Sequence, residues 1–356
     1  MGLESVVAKA PSPPVSSLAE LFGVFRDRLD GRSRRAEVSI EIAGLPIRLE
    51  FENELLREII SPAFRHLEAA NDAEPELTIF VFEEPSLFES VFFLAELANN
   101  AAEREVWLEE SPELTVILQK QGRFVTAVDW ATKTAYWLVP DADSIPYINR
   151  AHSLQPLLSY WLGKQERYFV HGAAVGHGNG GVLILGHNGA GKSTAALTCL
   201  VDGMPYVADD HCLVSLDGEP LAHSIYGTGK VVFEEMGSFP QLAPAAQTHN
   251  RPDGEKALYF LAGLPIAHLV RRLRLRAIFL ARIAHRPRTG LREIGQAEGF
   301  RALAESCALH APTSRAQALR IFRGLVQRLP SYVLELGRDL HSTPAAIRGF
   351  LDRLPA

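Results

Sequence analysis

Cysteine is scarce in this sequence of 356 residues, and its scarcity argues against two kinds of architecture. The three cysteines, Cys199, Cys212 and Cys307, are odd in number and lie far apart, and no Cys-x-x-Cys pair occurs. Neither a disulfide framework nor a structural zinc site is therefore indicated. Such cysteine usage is typical of the reducing cytoplasm, where we expect the protein to act.

Long apolar runs and an excess of positive charge are also missing. No apolar segment reaches the length that a membrane-spanning helix needs, so we expect no membrane insertion. The N-terminus has no charged segment followed by an apolar block and does not resemble a secretory signal. Its proline and serine content predicts a disordered leader over residues 1–18. The formal net charge of -6 gives no reason to expect nucleic-acid binding.

The charges are distributed unevenly along the chain. Residues 48–116 hold 17 acidic residues against four arginines, whereas residues 264–330 hold 13 arginines against three glutamates. The simplest interpretation is that the two segments carry opposite solvated faces or dock on each other. The alternative is that the arginine-rich segment receives an acidic substrate, because charge of one sign attracts the opposite sign.

The first part of the chain has the pattern of an α+β domain, which we predict over residues 19–150. Residues 37–50 alternate apolar and polar side chains around a Gly-Leu-Pro turn and predict a hairpin. Helices are predicted at 52–69 and 147–163, and short strands at 77–82, 106–108, 114–119, 124–129 and 134–138. Helices beside a mostly antiparallel sheet are typical of the α+β class.

The second part, residues 151–356, has a different pattern. A strand at 182–185, a helix at 193–202 and a strand at 206–208 predict a β-loop-α-β unit. Other elements are predicted in this order: hairpin strands at 212–216 and 220–223, a strand at 275–283, helices at 299–310 and 314–329, a strand at 332–336 and a helix beginning at Thr343. This order predicts an α/β core.

Residues 186–193 read Gly-His-Asn-Gly-Ala-Gly-Lys-Ser and match the phosphate-binding pattern G-x-x-x-x-G-K-[ST]. Glycines let backbone N–H groups approach phosphates closely, and the following helix directs its positive end at them. The predicted nucleotide-binding residues are Gly186, Asn188, Gly189, Ala190, Gly191, Lys192, Ser193 and Thr194. Lys192 would add charge at the β- and γ-phosphates of ATP, and the Ser193 hydroxyl would ligate Mg²⁺.

Asp209 and Asp210 follow the strand predicted at 206–208. The carboxyl end of a neighbouring strand in a parallel sheet opens beside the phosphate loop. One carboxylate there can hold Mg²⁺, and the other can accept a proton from an attacking hydroxyl. The alternative is one metal-holding aspartate and one structural aspartate.

The run His171-Gly172, the glycine-rich loop and Val207-Ala208-Asp209-Asp210 together resemble the catalytic core of the HPr serine kinase/phosphorylase family. The resemblance covers roughly residues 168–216. It implies an α/β P-loop kinase core of the HPr kinase C-terminal type, preceded by the α+β domain. It also implies that Asp209 is the general base or acid, that Asp210 assists the metal, and that Lys192 and His171 belong to the active site.

The chain departs from that family after the aspartate pair. No acidic-Ile-Arg-Gly segment follows, and residues 224–230 read Ser-Ile-Tyr-Gly-Thr-Gly-Lys instead. The chain therefore resembles a relative of that family rather than an HPr kinase. Some such relatives phosphorylate a serine of a ribosomal precursor peptide, such as a lasso-peptide precursor, and the resemblance implies a serine of a protein or precursor peptide as the acceptor. The alternatives are a small-molecule kinase on the same core and an ATP-binding regulatory module with little turnover.

Two further lysines, Lys230 and Lys256, lie near glycines in predicted loops. Both are candidates for binding phosphate or substrate. The alternative is that each is an ordinary solvated lysine. The spacing of His177, His187 and His211 fits no zinc pattern, and we expect no special role for them.

Overall fold

A computed structural model describes residues 36–70, 73–85, 105–120, 123–216, 218–247, 256–307 and 315–355, together with Gly23, Asp27 and Val91. The predicted leader, residues 1–18, lies outside this part of the chain. The chain divides into two compact units. The first contains residues 1–38, 48–59 and 75–146, and the second contains residues 39–47, 60–74 and 147–356.

Seven strands form one sheet of order β1-β2-β3-β7-β6-β5-β4. Its strands are β1 (Ala36–Ile42), β2 (Leu45–Phe51), β3 (Leu77–Glu83), β4 (Glu105–Glu110), β5 (Leu114–Gln119), β6 (Phe124–Asp129) and β7 (Thr134–Val139). The hairpin between β1 and β2 turns at Ala43 and Gly44, both with positive φ, as a tight two-residue turn requires. The predicted hairpin at 37–50 is confirmed.

The helix predicted at 52–69 is shorter than expected. The α-helix α1 (Glu54–Ile60) gives way to a 3-10 helix over Ser61–Leu67, whose second residue is Pro62. Proline lacks a backbone N–H, so the α-helical hydrogen-bond pattern cannot continue through it. The helix predicted at 147–163 is likewise divided, into α2 (Tyr147–Arg150) and α3 (Gln155–Lys164).

Strands and helices alternate through the rest of the chain. The strands are β8 (Tyr168–His171), β9 (Ala173–His177), β10 (Gly180–Leu185), β11 (Tyr206–Ala208), β12 (His211–Ser215), β13 (Leu221–His223), β14 (Thr228–Val232), β15 (Ala246–Gln247), β16 (Lys256–Phe260), β17 (Arg272–Ile283), β18 (Gly290–Ile294) and β19 (Ser331–Leu336). The helices are α4 (Lys192–Val201), α5 (Gln296–Cys307), α6 (Arg315–Arg328) and α7 (Ser342–Leu351), and 3-10 helices cover Phe233–Ser238 and Pro240–Ala245.

Nine strands of the second unit form a mixed sheet, with the path β11-β9-β10-β17-β13-β12-β8 and with β19 pairing with β17 and β18. The sequence predicts β11 as the neighbour of β10, but β9 lies between them and pairs antiparallel with both. Strands β10 and β11 therefore still run in the same direction. Their carboxyl ends open at the same edge of the sheet, as the prediction for the aspartate pair requires.

Both faces of strand β10 are buried against apolar side chains. Val182 and Ile184 belong to one core, which α4 and α7 complete, whereas Leu183 and Leu185 belong to a second core, which α5 and α6 complete. Alternate residues of a strand point to opposite faces, so the unbroken apolar run of β10 follows from its burial on both sides. Among the described residues, no helix is long and apolar enough to cross a membrane.

Candidate functional site

The glycine-rich loop between β10 and α4, residues 186–191, needs its glycines for two different reasons. Gly186, Gly189 and Gly191 have φ of 147°, 80° and 89°. Residues other than glycine rarely adopt these backbone angles. In addition, a Cβ on Gly191 would lie 2.6 Å from Leu336 Cδ1, and one on Gly186 would lie 3.1 Å from the Ala281 carbonyl oxygen. At Gly186 and Gly191 the surrounding strands thus leave little room for a side chain, whereas a Cβ on Gly189 would meet nothing within 4 Å. We call this segment the glycine loop.

Lys192, the first residue of α4, folds back over the glycine loop. Its Nζ donates to the carbonyl oxygens of Gly186 at 2.8 Å and His187 at 3.2 Å. Burial lowers the pKa of the Lys192 ammonium, against the attraction of Asp210. The two following hydroxyls also point at neighbours: Ser193 Oγ lies 3.4 Å from the Asp209 carbonyl oxygen, and Thr194 Oγ1 donates to Glu235 Oε2 at 2.9 Å.

A cavity of about 520 Å³, the loop cavity, lies against the glycine loop and the start of α4. Its volume is in the range of small-molecule sites. Six predicted nucleotide-binding residues line it: Asn188, Gly189, Gly191, Lys192, Ser193 and Thr194. Gly186 and Ala190 do not, since Gly186 borders a neighbouring cavity and Ala190 is buried. Other residues that line the loop cavity are His171, Asp210, Lys230, Glu235 and Lys256.

Asp210 is the centre of a dense polar cluster. His152 Nε2 lies 3.2 Å and His211 Nδ1 3.1 Å from its Oδ2, and His171 Nδ1 lies 3.3 Å from its Oδ1. The Lys230 ammonium forms an ion pair with Oδ2 and also contacts His152 Nε2. Strand register brings two members together, because His211 pairs with His171 across β12 and β8.

The charges of this cluster are set by burial and by Lys230. Burial, followed by the Lys230 ammonium, lowers the pKa of His152 to about 3. Burial lowers the pKa of His171 to about 4, although Asp210 opposes the change. Both imidazoles are therefore neutral at pH 7. Burial disfavours the Asp210 carboxylate, but Lys230, His211 and His152 outweigh it and hold the pKa of Asp210 well below its usual range.

Asp209 lies behind this cluster. It is 2% exposed and borders neither the loop cavity nor the neighbouring one. Its Oδ2 accepts the backbone N–H of Lys230 at 2.9 Å. Burial, with the nearby Asp210 charge, raises the pKa of Asp209 to about 6. The structure thus brings Asp210, Lys192, Ser193 and His171 to one cavity and does not bring Asp209 there.

His152 was not predicted, and His211 was expected to have no special role. His152 follows α2 in the break between α2 and α3, and no local pattern marks it. His211 follows Asp210 directly, so its adjacency to the aspartate pair was the available signal. The loop cavity also borders both candidate lysines: Lys230 is only 3% exposed, whereas Lys256 is exposed at the start of β16.

His152, Asp210 and His211 could also hold a metal ion, since their ligand atoms lie within 4.8 Å of one another. The Lys230 ammonium, however, contacts both Asp210 and His152. A cation bound to these atoms would have to displace that positive charge. The oxygens of Ser193 and Glu235 on the wall of the loop cavity suit Mg²⁺, which prefers oxygen ligands.

A second cavity of about 490 Å³, the side cavity, adjoins the glycine loop. His171 and Asn188 line both cavities. Two ion pairs border the side cavity, Arg282 with Glu298 at 3.0 Å and Arg301 with Glu305 at 4.0 Å. Part of the arginine-rich segment is therefore paired with acidic residues close to it in the chain.

Comparison with solved structures finds a likeness to a kinase/phosphatase. The HPr(Ser) kinase/phosphatase from Coxiella burnetii matches with 12% sequence identity and a TM-score of 0.28, over 52% of this chain and 93% of that protein. No protein-family model and no curated protein matches the sequence.

Proposed function

We propose that this chain is an ATP-dependent kinase that transfers the γ-phosphoryl group to a serine of a protein or ribosomal precursor peptide. The observation that carries the proposal is the loop cavity, where the glycine loop and Lys192 meet Asp210 and His171. Phosphoryl transfer needs positioned phosphates, charge neutralisation and an oriented acceptor hydroxyl. The residues around this one cavity offer groups for each need.

The nucleotide phosphates would lie on the backbone N–H groups of residues 189–193. The Lys192 ammonium, now held by the Gly186 and His187 carbonyl oxygens, would turn to the β- and γ-phosphates. The Ser193 hydroxyl is a ligand for Mg²⁺, with Asp210 and Glu235 as nearby carboxylates. Mg²⁺, when bound, neutralises charge on the transferred group.

The acceptor hydroxyl would meet Asp210 rather than Asp209, because Asp210 lines the loop cavity and Asp209 is sealed behind it. In the transfer, the serine oxygen bonds to the γ-phosphorus while the bond from that phosphorus to the β–γ bridging oxygen breaks, so ADP leaves. The hydroxyl proton passes to the Asp210 carboxylate. This proposal exchanges the roles that the family resemblance suggests for the two aspartates.

We place the acceptor's route to the reacting phosphoryl group in the side cavity. Since His171 and Asn188 border both cavities, a serine that enters the side cavity would reach the γ-phosphate end of the loop cavity. The proposal places the reaction in the cytoplasm, where ATP is available and where the free thiols of Cys199 and Cys212 persist.

Two measurements test the kinase proposal: calorimetry with ATP and Mg²⁺, and transfer of labelled γ-phosphate to an arrayed library of serine peptides. Lys192→Ala should weaken ATP binding severely, since each lost hydrogen bond to a charged group costs about 1.5–3 kcal/mol. The matched control is Lys164→Ala, which removes an exposed lysine at the end of α3. Equal ATP affinity for Lys192→Ala and the control would exclude the nucleotide site.

The aspartate assignment has its own comparison. Asp210→Asn should reduce transfer by about 10²–10⁴-fold, the usual contribution of a positioned proton acceptor, and should reduce transfer far more than it reduces the affinity for ATP with Mg²⁺. Asp209→Asn should reduce transfer less, because its side chain does not reach the cavity. Full transfer by Asp210→Asn together with loss in Asp209→Asn would restore the roles first expected. Binding of ATP without transfer to any peptide, small hydroxyl compound or protein would favour the regulatory alternative.

A further inference from the structure

The loop cavity has two chemically different ends. The charged end holds the side chains that surround the glycine loop on the β11 side: Lys192, Asp210, Lys230, Glu235 and Lys256. The other end is lined by Ile283, Leu336 and Leu340, with Thr343 and Arg338 beside them. We call Ile283, Leu336 and Leu340 the apolar wall; Val231 and Val232 of β14 also line the loop cavity, next to Lys230.

The apolar wall stands directly beside the glycine loop. Ile283 and Leu336 are the last residues of β17 and β19, which run parallel to each other and to β10. Their ends therefore lie at the same edge of the sheet as the glycine loop. A Cβ on Gly191 would meet Leu336 Cδ1 at 2.6 Å and Ile283 Cγ1 at 3.9 Å. A ligand whose phosphates follow the glycine loop would extend along this wall.

Ile283 is unusually open for an aliphatic residue at a strand end. Its side chain is 65% exposed, the largest value among the exposed large hydrophobic residues of the described chain. Leu336, in contrast, is 9% exposed and packs into the core. Because apolar surface in a concave site gains free energy when a ligand covers it, Ile283 is suited to contact a flat apolar group.

We propose that the apolar wall is the nucleobase subsite of the nucleotide that the glycine loop holds, and that it contacts the faces of the base and not its edges. The inference rests on the proposed function. The glycine loop accounts for binding of the phosphates, and the apolar wall would account for binding of the base. Thr343 is 2% exposed, and its hydroxyl is hydrogen-bonded to the Thr289 hydroxyl at 2.9 Å, so it is not directed at a ligand. The Arg338 guanidinium can stack on a base face.

A subsite of this kind distinguishes bases weakly. Sites that hydrogen-bond a particular group reject analogues strongly, whereas apolar pockets discriminate by small factors. The apolar wall contributes aliphatic side chains, which do not read the edges of adenine or guanine. The chain should therefore accept both ATP and GTP.

Calorimetry on the full chain with Mg²⁺ tests the proposal with three titrants: ATP, GTP and inorganic tripolyphosphate. In the wild type, ATP and GTP should bind within about tenfold of each other, as apolar recognition allows. Both should bind more tightly than tripolyphosphate. Ile283→Ser should weaken ATP and GTP by about tenfold, the effect of losing much of one buried aliphatic side chain. It should leave tripolyphosphate within about twofold, and Lys192→Ala should weaken all three titrants.

The matched control is Ile266→Ser, which changes another exposed isoleucine that does not line the loop cavity; it should leave all three affinities unchanged. Equal affinity for ATP and tripolyphosphate in the wild type, or no effect of Ile283→Ser on ATP, would overturn the nucleobase subsite while leaving the phosphate site intact. A preference of more than about hundredfold for one purine would overturn recognition by the faces. Failure of all three titrants to bind would overturn the proposed function as well.

Discussion

One nitrogen of the His66 imidazole is hydrogen-bonded within the described part of the second unit, and the other is not. Its Nε2 lies 2.7 Å from Ser224 Oγ, which donates to the Val207 carbonyl oxygen. The serine hydroxyl therefore accepts, and Nε2 carries the proton. His66 Nδ1 has no hydrogen-bond partner among the described residues, and Gly227 packs directly against the ring. A second proton on this ring would consequently be poorly solvated.

This environment predicts a pH dependence of stability. Burial, with the nearby Arg271 charge, lowers the pKa of His66 to about 4, from about 6.5 in an unfolded chain. Between these values the unfolded chain binds a proton that the folded chain does not, so the free energy of unfolding falls as the pH falls from 6.5 towards 4. His66→Gln keeps a donor for Ser224 and removes the titrating group. Between pH 7 and pH 5, the free energy of unfolding of His66→Gln should therefore fall by about 1–2 kcal/mol less than that of the wild type.

Urea unfolding at several pH values measures that difference. His152 and His171 titrate in the same direction and remain in both proteins, so the comparison of slopes isolates His66. Identical slopes for His66→Gln and wild type would contradict the assignment of a neutral His66 at low pH.

At the scale of single elements, the glycine loop offers a matched pair of substitutions. Gly189 and Gly191 have nearly the same φ, 80° and 89°, so alanine at either position bears the same kind of backbone strain. That strain is about 1–2 kcal/mol. Only at Gly191 would the new methyl group also meet a neighbour, Leu336 Cδ1 at 2.6 Å, whereas nothing lies within 4 Å at Gly189.

We therefore expect Gly191→Ala to lower the free energy of unfolding more than Gly189→Ala. The excess should be about 1–3 kcal/mol, the usual cost of one extra methyl group in a packed site. Urea denaturation without nucleotide checks the difference, because binding effects are then absent. Equal losses at the two positions would show that Leu336 moves aside freely, and the apolar wall would then be less rigid than its contacts indicate.

The loop and its flanking elements were predictable because their signals are local. Strand 182–185 and helix 193–202 were placed within two residues of the observed β10 and α4 at each end, since an apolar run, a glycine motif and a helix-terminating Gly203 occur in sequence order. Strand β9 was not predicted as a neighbour of β10. Its pairing depends on antiparallel register with two strands, which no local pattern encodes.

The cluster around Asp210 could be predicted only in part, because some of its members are far apart in the sequence. The Asp209-Asp210 pair was predicted from its position relative to the glycine loop, whereas His171 was expected only through the resemblance to the HPr kinase family. Lys230 is 20 residues beyond Asp210, and His152 is 78 residues before Lys230, so only the folded chain joins them. The burial of Lys230 also decides between the two interpretations of this lysine, because a residue that is 3% exposed is not a solvated lysine.

At the scale of the whole molecule, the second unit includes a segment from early in the chain, residues 60–74. The Phe64 and Tyr226 rings pack with centroids 5.4 Å apart. The backbone N–H of Gly227 donates to the Ala63 carbonyl oxygen at 2.8 Å, and Arg271 Nη2 donates to the Glu68 carbonyl oxygen at 2.8 Å. The strand that leads to Lys230 begins one residue after Gly227, so this segment supports the position of Lys230 beside Asp210.

These contacts predict that a fragment of residues 147–356 does not fold as the full chain does, although the sequence suggests a domain boundary near residue 150. Without residues 60–74, the Tyr226 ring keeps its contact with His152 but loses Phe64. The Gly227 N–H loses its acceptor, and an unpaired buried polar group alone costs about 1–3 kcal/mol. In the full chain, Phe64→Ala should lower the free energy of unfolding by about 3–5 kcal/mol, the usual cost of removing a buried phenylalanine. Thermal unfolding followed by circular dichroism, with ATP titration of each protein, measures both effects. If the fragment 147–356 unfolds cooperatively and binds ATP as tightly as the full chain does, the early segment is dispensable. If the fragment regains a cooperative transition only when a peptide of residues 60–74 is added, this segment completes the second unit.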